Sequence, residues 1–140
     1  MRTERQKLED KLDDIVRNIV RARDFAGDQW CKCVTCDKSF KWGDWNRFNA
    51  GHFQVRRHRA TRWLLKNVNM QCVSCNNFGK GEQFKHGAEI DKKYGKGTSE
   101  RIENLARTTV KLSISDLKSM LEDLKRKYLE YTQTIGNFHK

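Results

Sequence analysis

The chain has 140 residues, with 29 Lys and Arg against 18 Asp and Glu, for a formal net charge of +11. A charged fraction of 34% and a mean hydropathy of −0.91 argue against a membrane span, since no apolar run approaches the ~18 residues that one needs. The surplus of cations on so small a chain points to a polyanionic partner rather than a neutral metabolite. Met1 to Asp14 has no apolar stretch of the kind a secretory leader carries, so the five cysteines are read as reduced and the CxxC pairs as metal ligands rather than disulfides.

From the N-terminus, Thr3 to Phe25 reads as a helix, because Leu8, Leu12, Ile15, Val16, Ile19 and Val20 recur every three or four residues and make one apolar stripe. Cys31 to about Cys75 is different in kind. It holds two CxxC pairs, six aromatics (Phe40, Trp42, Trp45, Phe48, Phe53, Trp63) and most of the clustered positive charge, and reads as short strands and loops around metal. Lys66 to Gln71 alternates polar and apolar residues, as a short strand does. Glycines at 79, 81, 87, 95 and 97 punctuate loops with one short helix over His86 to Tyr94. Thr98 or Ser99 then caps a helix to about Ala106, and a last long helix starts near Ser113 or Ser115 with Leu117, Leu121, Leu124 and Leu129 mostly on one face. The expectation is one α+β domain over residues 1–140: an N-terminal helix in 1–28, a metal-bound core in 29–85 and a helical part in 86–140. The two terminal helices are expected to pack on each other or on the metal module, and they also offer a surface for a homodimer.

Cys33-Val34-Thr35-Cys36 and Cys72-Val73-Ser74-Cys75 are matched knuckles separated by 35 residues. A two-residue gap lets both thiolates of a knuckle reach one ion, and two knuckles close a tetrahedron around zinc with no position left for water. This zinc is therefore structural, and it contributes folding free energy directly. Cys31 is the spare thiol, two residues before Cys33, and the CxxC register favours Cys33 as the ligand.

Between the knuckles lie seven basic residues from Lys41 to Lys66 against one acid, Asp44, and the segment Phe48-Asn49-Ala50-Gly51-His52-Phe53; Asn76 and Asn77 follow the last cysteine directly. CVTC, NAGHF and KNVNMQCVSCN resemble the core of the phage NinG (Rap) recombination protein family and, more broadly, zinc-containing HNH or His-Me finger endonucleases. The likeness covers roughly residues 15 to 130 and extends weakly through YGKGTSERIENL. It implies a ββα-metal core stapled by zinc, a metal-dependent DNA endonuclease using Mg²⁺ or Mn²⁺, branched recombination intermediates such as Holliday junctions and D-loops as substrates, and the cytoplasm of a bacterial host as the place of action. Cutting both strands of a junction suits a symmetric dimer.

The chemistry agrees with that resemblance. Phosphodiester hydrolysis needs an attacking water, a base and positive charge on the developing phosphorane. A neutral imidazole serves as base near neutral pH, which assigns that part to His52. A hard divalent cation takes oxygen ligands, including the amide oxygen of Asn76. The resemblance makes Asn67 the brace of the intervening loop, with Asn69 the competing register. Arg56, Arg57, Arg59 and Arg62 are expected to hold flanking phosphates. His58 and His86 have no motif support and read as surface histidines, although His58 is close enough in sequence to add a metal contact.

Two positions depart from the family pattern. Many relatives carry an Asp or His ligand directly before the base, where this chain has Gly51, so Asp44, His58 or Glu82 would have to supply a further ligand. A lysine common three residues after the position of Asn76 is here Gly79, followed by Lys80. Two other functions explain part of the sequence: a zinc-ribbon-like module that grips nucleic acid without cutting it, and an assembly protein that recruits a partner through its helices.

Overall fold

The computed structural model describes residues 1–79 and 81–135; Lys80, whose role was in question above, lies outside them. The first helix, α1 (Glu4–Phe25), starts where Thr3 makes a reciprocal cap: the Thr3 hydroxyl accepts from the Gln6 N–H at 3.1 Å, and the Gln6 side chain accepts from the Thr3 N–H at 2.9 Å. It ends at Ala26, which takes the left-handed conformation at φ 48°. The stripe seen in the sequence is its buried face, with Leu12, Ile19 and Val20 fully removed from solvent.

Two antiparallel pairs of strands follow. β1 (Trp30–Lys32) pairs with β2 (Ser39–Lys41), and the first knuckle occupies the turn between them. β3 (Phe48–His52) pairs with β4 (Val68–Cys72) in a register that sets Gly51 opposite Asn69 and His52 opposite Val68. The connection between β3 and β4 carries a single helical turn, α2 (Arg59–Arg62), and a 3-10 turn over Leu65–Asn67. After β4, a π-helical turn (Ser74–Phe78) leads to α3 (Gln83–Tyr94), α4 (Thr98–Ala106) and α5 (Ile114–Ile135).

The main core lies between α1, α5 and the inner face of the β3–β4 pair. Phe25 makes edge contacts with Trp42, Trp45 and Phe48, and Phe40 stacks on Phe48 with ring centroids 4.8 Å apart. A second, smaller cluster of Phe53, Ile90 and Ile102 anchors α3 and α4. α5 lies along α1. The Glu4–Lys118 ion pair at one end, and Tyr131 within electrostatic reach of Arg23 at the other, show that the two helices run in the same direction. Among the described residues no helix is long and apolar enough to cross a membrane.

Four expectations change. Leu129 is 57% exposed, because the face that meets α1 steps from Leu117 and Leu121 to Leu124 and leaves Leu129 a position off the contact. The third helix begins at Gln83, three residues before the predicted start. Neither Thr98 nor Ser99 caps α4: Gly97 takes the cap position at φ 89°, and the Asp91 carboxylate of α3 accepts from both the N–H and the hydroxyl of Ser99. His86 is not a surface residue but fully buried, for a reason that lies in β4. The polar residues of that strand face inward as well, onto a buried polar layer: the Asn69 amide meets the His86 ring at 3.1 Å and accepts from Arg23, which also donates to the Leu65 and Val68 carbonyls. An alternating strand thus has two covered faces, one apolar and one hydrogen-bonded.

Candidate functional site

The cysteines form the first half of the site. Cys33 and Cys36 come from the β1–β2 turn, and Cys72 and Cys75 from the end of β4 and the turn after it. The Val34 N–H donates to the Met70 carbonyl at 3.0 Å, which ties the first knuckle to β4. The four sulfurs lie within 4.8 Å of one another, with Cys36 and Cys72 Sγ 3.8 Å apart. That separation is the edge of a tetrahedron whose metal–sulfur bonds are about 2.3 Å, so these four cysteines are positioned to bind a zinc ion. Burial pushes the Cys36 thiol up to about 12. Burial also raises Cys33, yet the N–H groups of Cys72 and Thr35 outweigh it and bring that thiol to about 7. With all four ionised, sulfurs this close would need a cation among them to offset their mutual repulsion. Cys31 stands outside the cluster on β1, where burial pushes its thiol up to about 12.

The second half is an open cleft of roughly 900 Å³ between α1, the end of β3 and the turns around Asn76 and Gly81. His52 and Asn76 both line it. The His52 Nε2 lies 2.9 Å from the Arg62 carbonyl oxygen. A carbonyl only accepts, so Nε2 carries the proton and Nδ1 keeps its lone pair. Burial holds the ring below its usual pKa, against the opposing pull of that carbonyl, so the imidazole is neutral at pH 7. Asn76 enters from the same π-helical turn that carries Cys75, so the cysteine cluster fixes the root of Asn76 at one end of β4.

Asn67 braces the loop between the strands. It is fully buried, its Nδ2 donates to the Gln54 and Thr61 carbonyls at 3.1 Å each, and its Oδ1 accepts from the Gln54 N–H at 2.8 Å. Asn69, the competing register, sits in the buried layer with His86 instead. Gly51 has no room for a side chain: a Cβ there would stand 2.3 Å from the Gln71 Oε1. Gln71 fills the space, its Nε2 donating to the Thr35 hydroxyl at 2.9 Å and the Gly81 carbonyl at 2.8 Å, and so links knuckle to cleft. Its Oε1 is buried without a hydrogen-bond partner among the described residues.

The arginines are arranged differently from the sequence expectation. Arg62 and Arg56 both pair with Asp13 of α1, at 2.7 and 2.5 Å, and Arg59 pairs with Glu9 at 3.0 Å. Asp13 also accepts from the Trp63 indole at 2.8 Å. Burial would raise its carboxyl, but Arg62, Trp63 and Arg56 hold it below the usual carboxylate range. Three of the four arginines therefore dock the loop onto α1, and Arg57 is the one with no ion pair among the described residues. Asp44 pairs with Arg47, and Asp44, His58 and Glu82 are not among the residues that line the cleft.

Sequence reasoning missed the wall contributed by α1. Asp10, Asp13, Asp14, Arg17 and Arg21 all line the cleft. Their spacing along one helix was visible, but the stripe beside them read only as a core face. Residues 2–134 match the model of the family described as Bacteriophage Lambda NinG protein, while no curated protein and no solved structure matches the chain significantly.

Proposed function

Because the chain belongs to the bacteriophage lambda NinG protein family over residues 2–134, we propose that it is a metal-dependent DNA endonuclease of the His-Me finger type, acting on branched recombination intermediates such as Holliday junctions and D-loops in the host cell. One observation carries the catalytic part: the His52 ring is anchored through Nε2 on the Arg62 carbonyl and keeps Nδ1 free in the cleft that Asn76 shares. An imidazole fixed in this tautomer takes a proton from water at Nδ1, and the carbonyl opposite stabilises the imidazolium that results. The antiparallel β3–β4 pair, followed by a helical turn bearing Asn76, supports a ββα-metal reading.

The donors around the cleft also suit a hard divalent cation. They are carboxylate and amide oxygens, with no thiol among them. Asn76 would hold such an ion, and Gly51 contributes nothing to it. Asp13 is spent on Arg56, Arg62 and Trp63. When bound, magnesium or manganese supplies the positive charge that polarises the phosphate and stabilises the leaving oxygen. Asn67 keeps the loop carrying Arg62, and with it the anchor of His52, in place. The family supports a recombination role, and branched DNA is the substrate class that such a role would present to the cleft.

The test is a cleavage assay on labelled Holliday junction, flap and linear duplex with Mg²⁺, Mn²⁺ or neither. Metal-dependent cutting that favours the branched forms is the expected result. A folded, zinc-loaded protein that binds these DNAs and cuts none of them with either metal is a zinc-stapled binding module, and the catalytic reading fails.

A further inference from the structure

The α1 wall of the cleft holds a cation without a counter-charge. Each acid on that wall has a partner: Asp10 pairs with Arg2 at 2.6 Å, Asp13 with Arg56 and Arg62, and Asp14 with Arg17 at 3.2 Å. Arg21, one helical turn beyond Arg17, has no acidic partner among the described residues. Its guanidinium carbon lies 3.8 Å from the centre of the Trp45 ring, a cation–π contact that seats the side chain. The Nε atoms of Arg17 and Arg21 are both buried with no hydrogen-bond acceptor. Burial and the like charge of Arg17 lower Arg21 only to about 10, so it remains a cation at neutral pH. A fixed guanidinium beside a second cation, with donors unmet, is a poor arrangement for a protein alone and a good one for a bound anion.

We infer that Arg21, backed by Arg17 and seated on Trp45, is a phosphate seat for a nucleic-acid strand lying along α1 in the cleft. The inference deepens the nuclease reading and rests on it for what the strand does at His52. The helix rises about 1.5 Å per residue, so Arg21 stands roughly 12 Å along α1 from Asp13, or three to four nucleotides of a duplex at about 3.4 Å each. Asp13 holds the Arg62 side chain, and the Arg62 carbonyl holds His52. The seat thus grips the backbone a few nucleotides from the proposed base. It also takes over the part expected of Arg59 and Arg62, whose forks are spent on Glu9 and Asp13.

The test measures binding of a labelled duplex oligonucleotide over a range of salt, without magnesium or manganese, for wild type, Arg21→Gln, Arg21→Lys and His52→Ala. Thermal melting checks that each variant is folded. Arg21→Gln is expected to weaken binding by about tenfold at moderate salt and to reduce the slope of log K against log salt by about 0.9, one phosphate contact. Arg21→Lys keeps the charge and is expected to keep the slope. If Arg21→Gln does not fold, Arg17→Gln, at 43% side-chain exposure, is read in its place with a smaller change in the same direction. A folded Arg21→Gln with unchanged affinity and slope overturns the seat. His52→Ala that keeps the slope but loses cutting, beside an Arg21→Gln that also keeps it, refutes the seat and spares the nuclease. A protein that never cuts, but loses slope with Arg21→Gln, does the reverse.

Discussion

The four-cysteine cluster and the His52 cleft are built on the same strand pair, yet they are held in different ways. The cluster is closed and local in code. Two knuckles of the same CxxC spacing supply all four sulfurs, and the sulfur separation already matches a tetrahedral site. The cleft is open and assembled at long range. Its walls come from α1, the end of β3, and the turns near residues 76 and 81, and its loop is docked by pairs between Glu9 or Asp13 and arginines 43 to 50 residues away. A centre held by one ion fails all at once when a ligand is lost. A cleft held by many partial contacts fails by degrees. Gln71 joins the two regions, touching Thr35 in the first knuckle and Gly81 at the cleft.

The largest loss is expected at the cluster. Structural zinc supplies about 10–16 kcal/mol of apparent binding free energy in small zinc-dependent folds, as much as the whole stability of a typical domain. Cys72→Ser, or chelation of the wild type, is expected to abolish cooperative unfolding at 25 °C, read by near-ultraviolet circular dichroism and metal content together. A zinc-free variant that still melts cooperatively would mean that the core holds itself.

Acid probes the buried layer beneath the cleft. Burial, and secondarily the nearby His52, hold His86 at about 4 in place of its ordinary 6.5. The unfolded chain therefore takes up a proton near pH 6.5 that the folded chain refuses until about pH 4. The His86 contribution is complete above the unfolded value and is lost as pH falls toward 4, by roughly 3 kcal/mol. Cysteine protonation also acts in this range, so the readout is the difference in denaturation midpoint between wild type and His86→Gln at each pH. That difference should move with acid; a constant difference contradicts the assignment.

How much of this was legible in the sequence follows the same division. The α1 stripe, the Thr3 start, the knuckles, the choice of Cys33 over Cys31 and the strand at β4 were all readable, because each is set by neighbours within a few residues. The sequence singled out His52, Asn67 and Asn76; in the fold Asn67 bonds to the loop backbone, and His52 and Asn76 line one cleft. The ion pairs that engage Arg56, Arg59 and Arg62 were not readable, since nothing local marks Glu9 and Asp13 as their partners. Nor was the burial of His86, because a strand of alternating polarity ordinarily shows its polar face to water. The seating of Arg21 on Trp45 depends on where α1 crosses the strands, which no spacing encodes.

Smaller effects sharpen the boundary between the two regions. Gly51→Ala drives a Cβ into Gln71, the residue that joins them, and is expected to cost about 1–3 kcal/mol in chemical denaturation. A neutral result would mean that Gln71 swings aside freely. Cys31→Ser is the mildest change. It should leave one zinc per chain and shift stability by under about 1 kcal/mol, since Cys31 lies outside the four-sulfur cluster. Loss of zinc in that variant would assign Cys31 to the metal after all.

Whether the cleft is catalytic, with His52 as its base, is decided most directly by His52→Ala assayed beside the wild type for cutting and for binding of the same labelled junction with Mg²⁺ and Mn²⁺. Cutting is expected to fall by about 10²–10⁴-fold while binding affinity and zinc content stay at wild-type values. A His52→Ala protein that cuts as fast as the wild type would contradict that role.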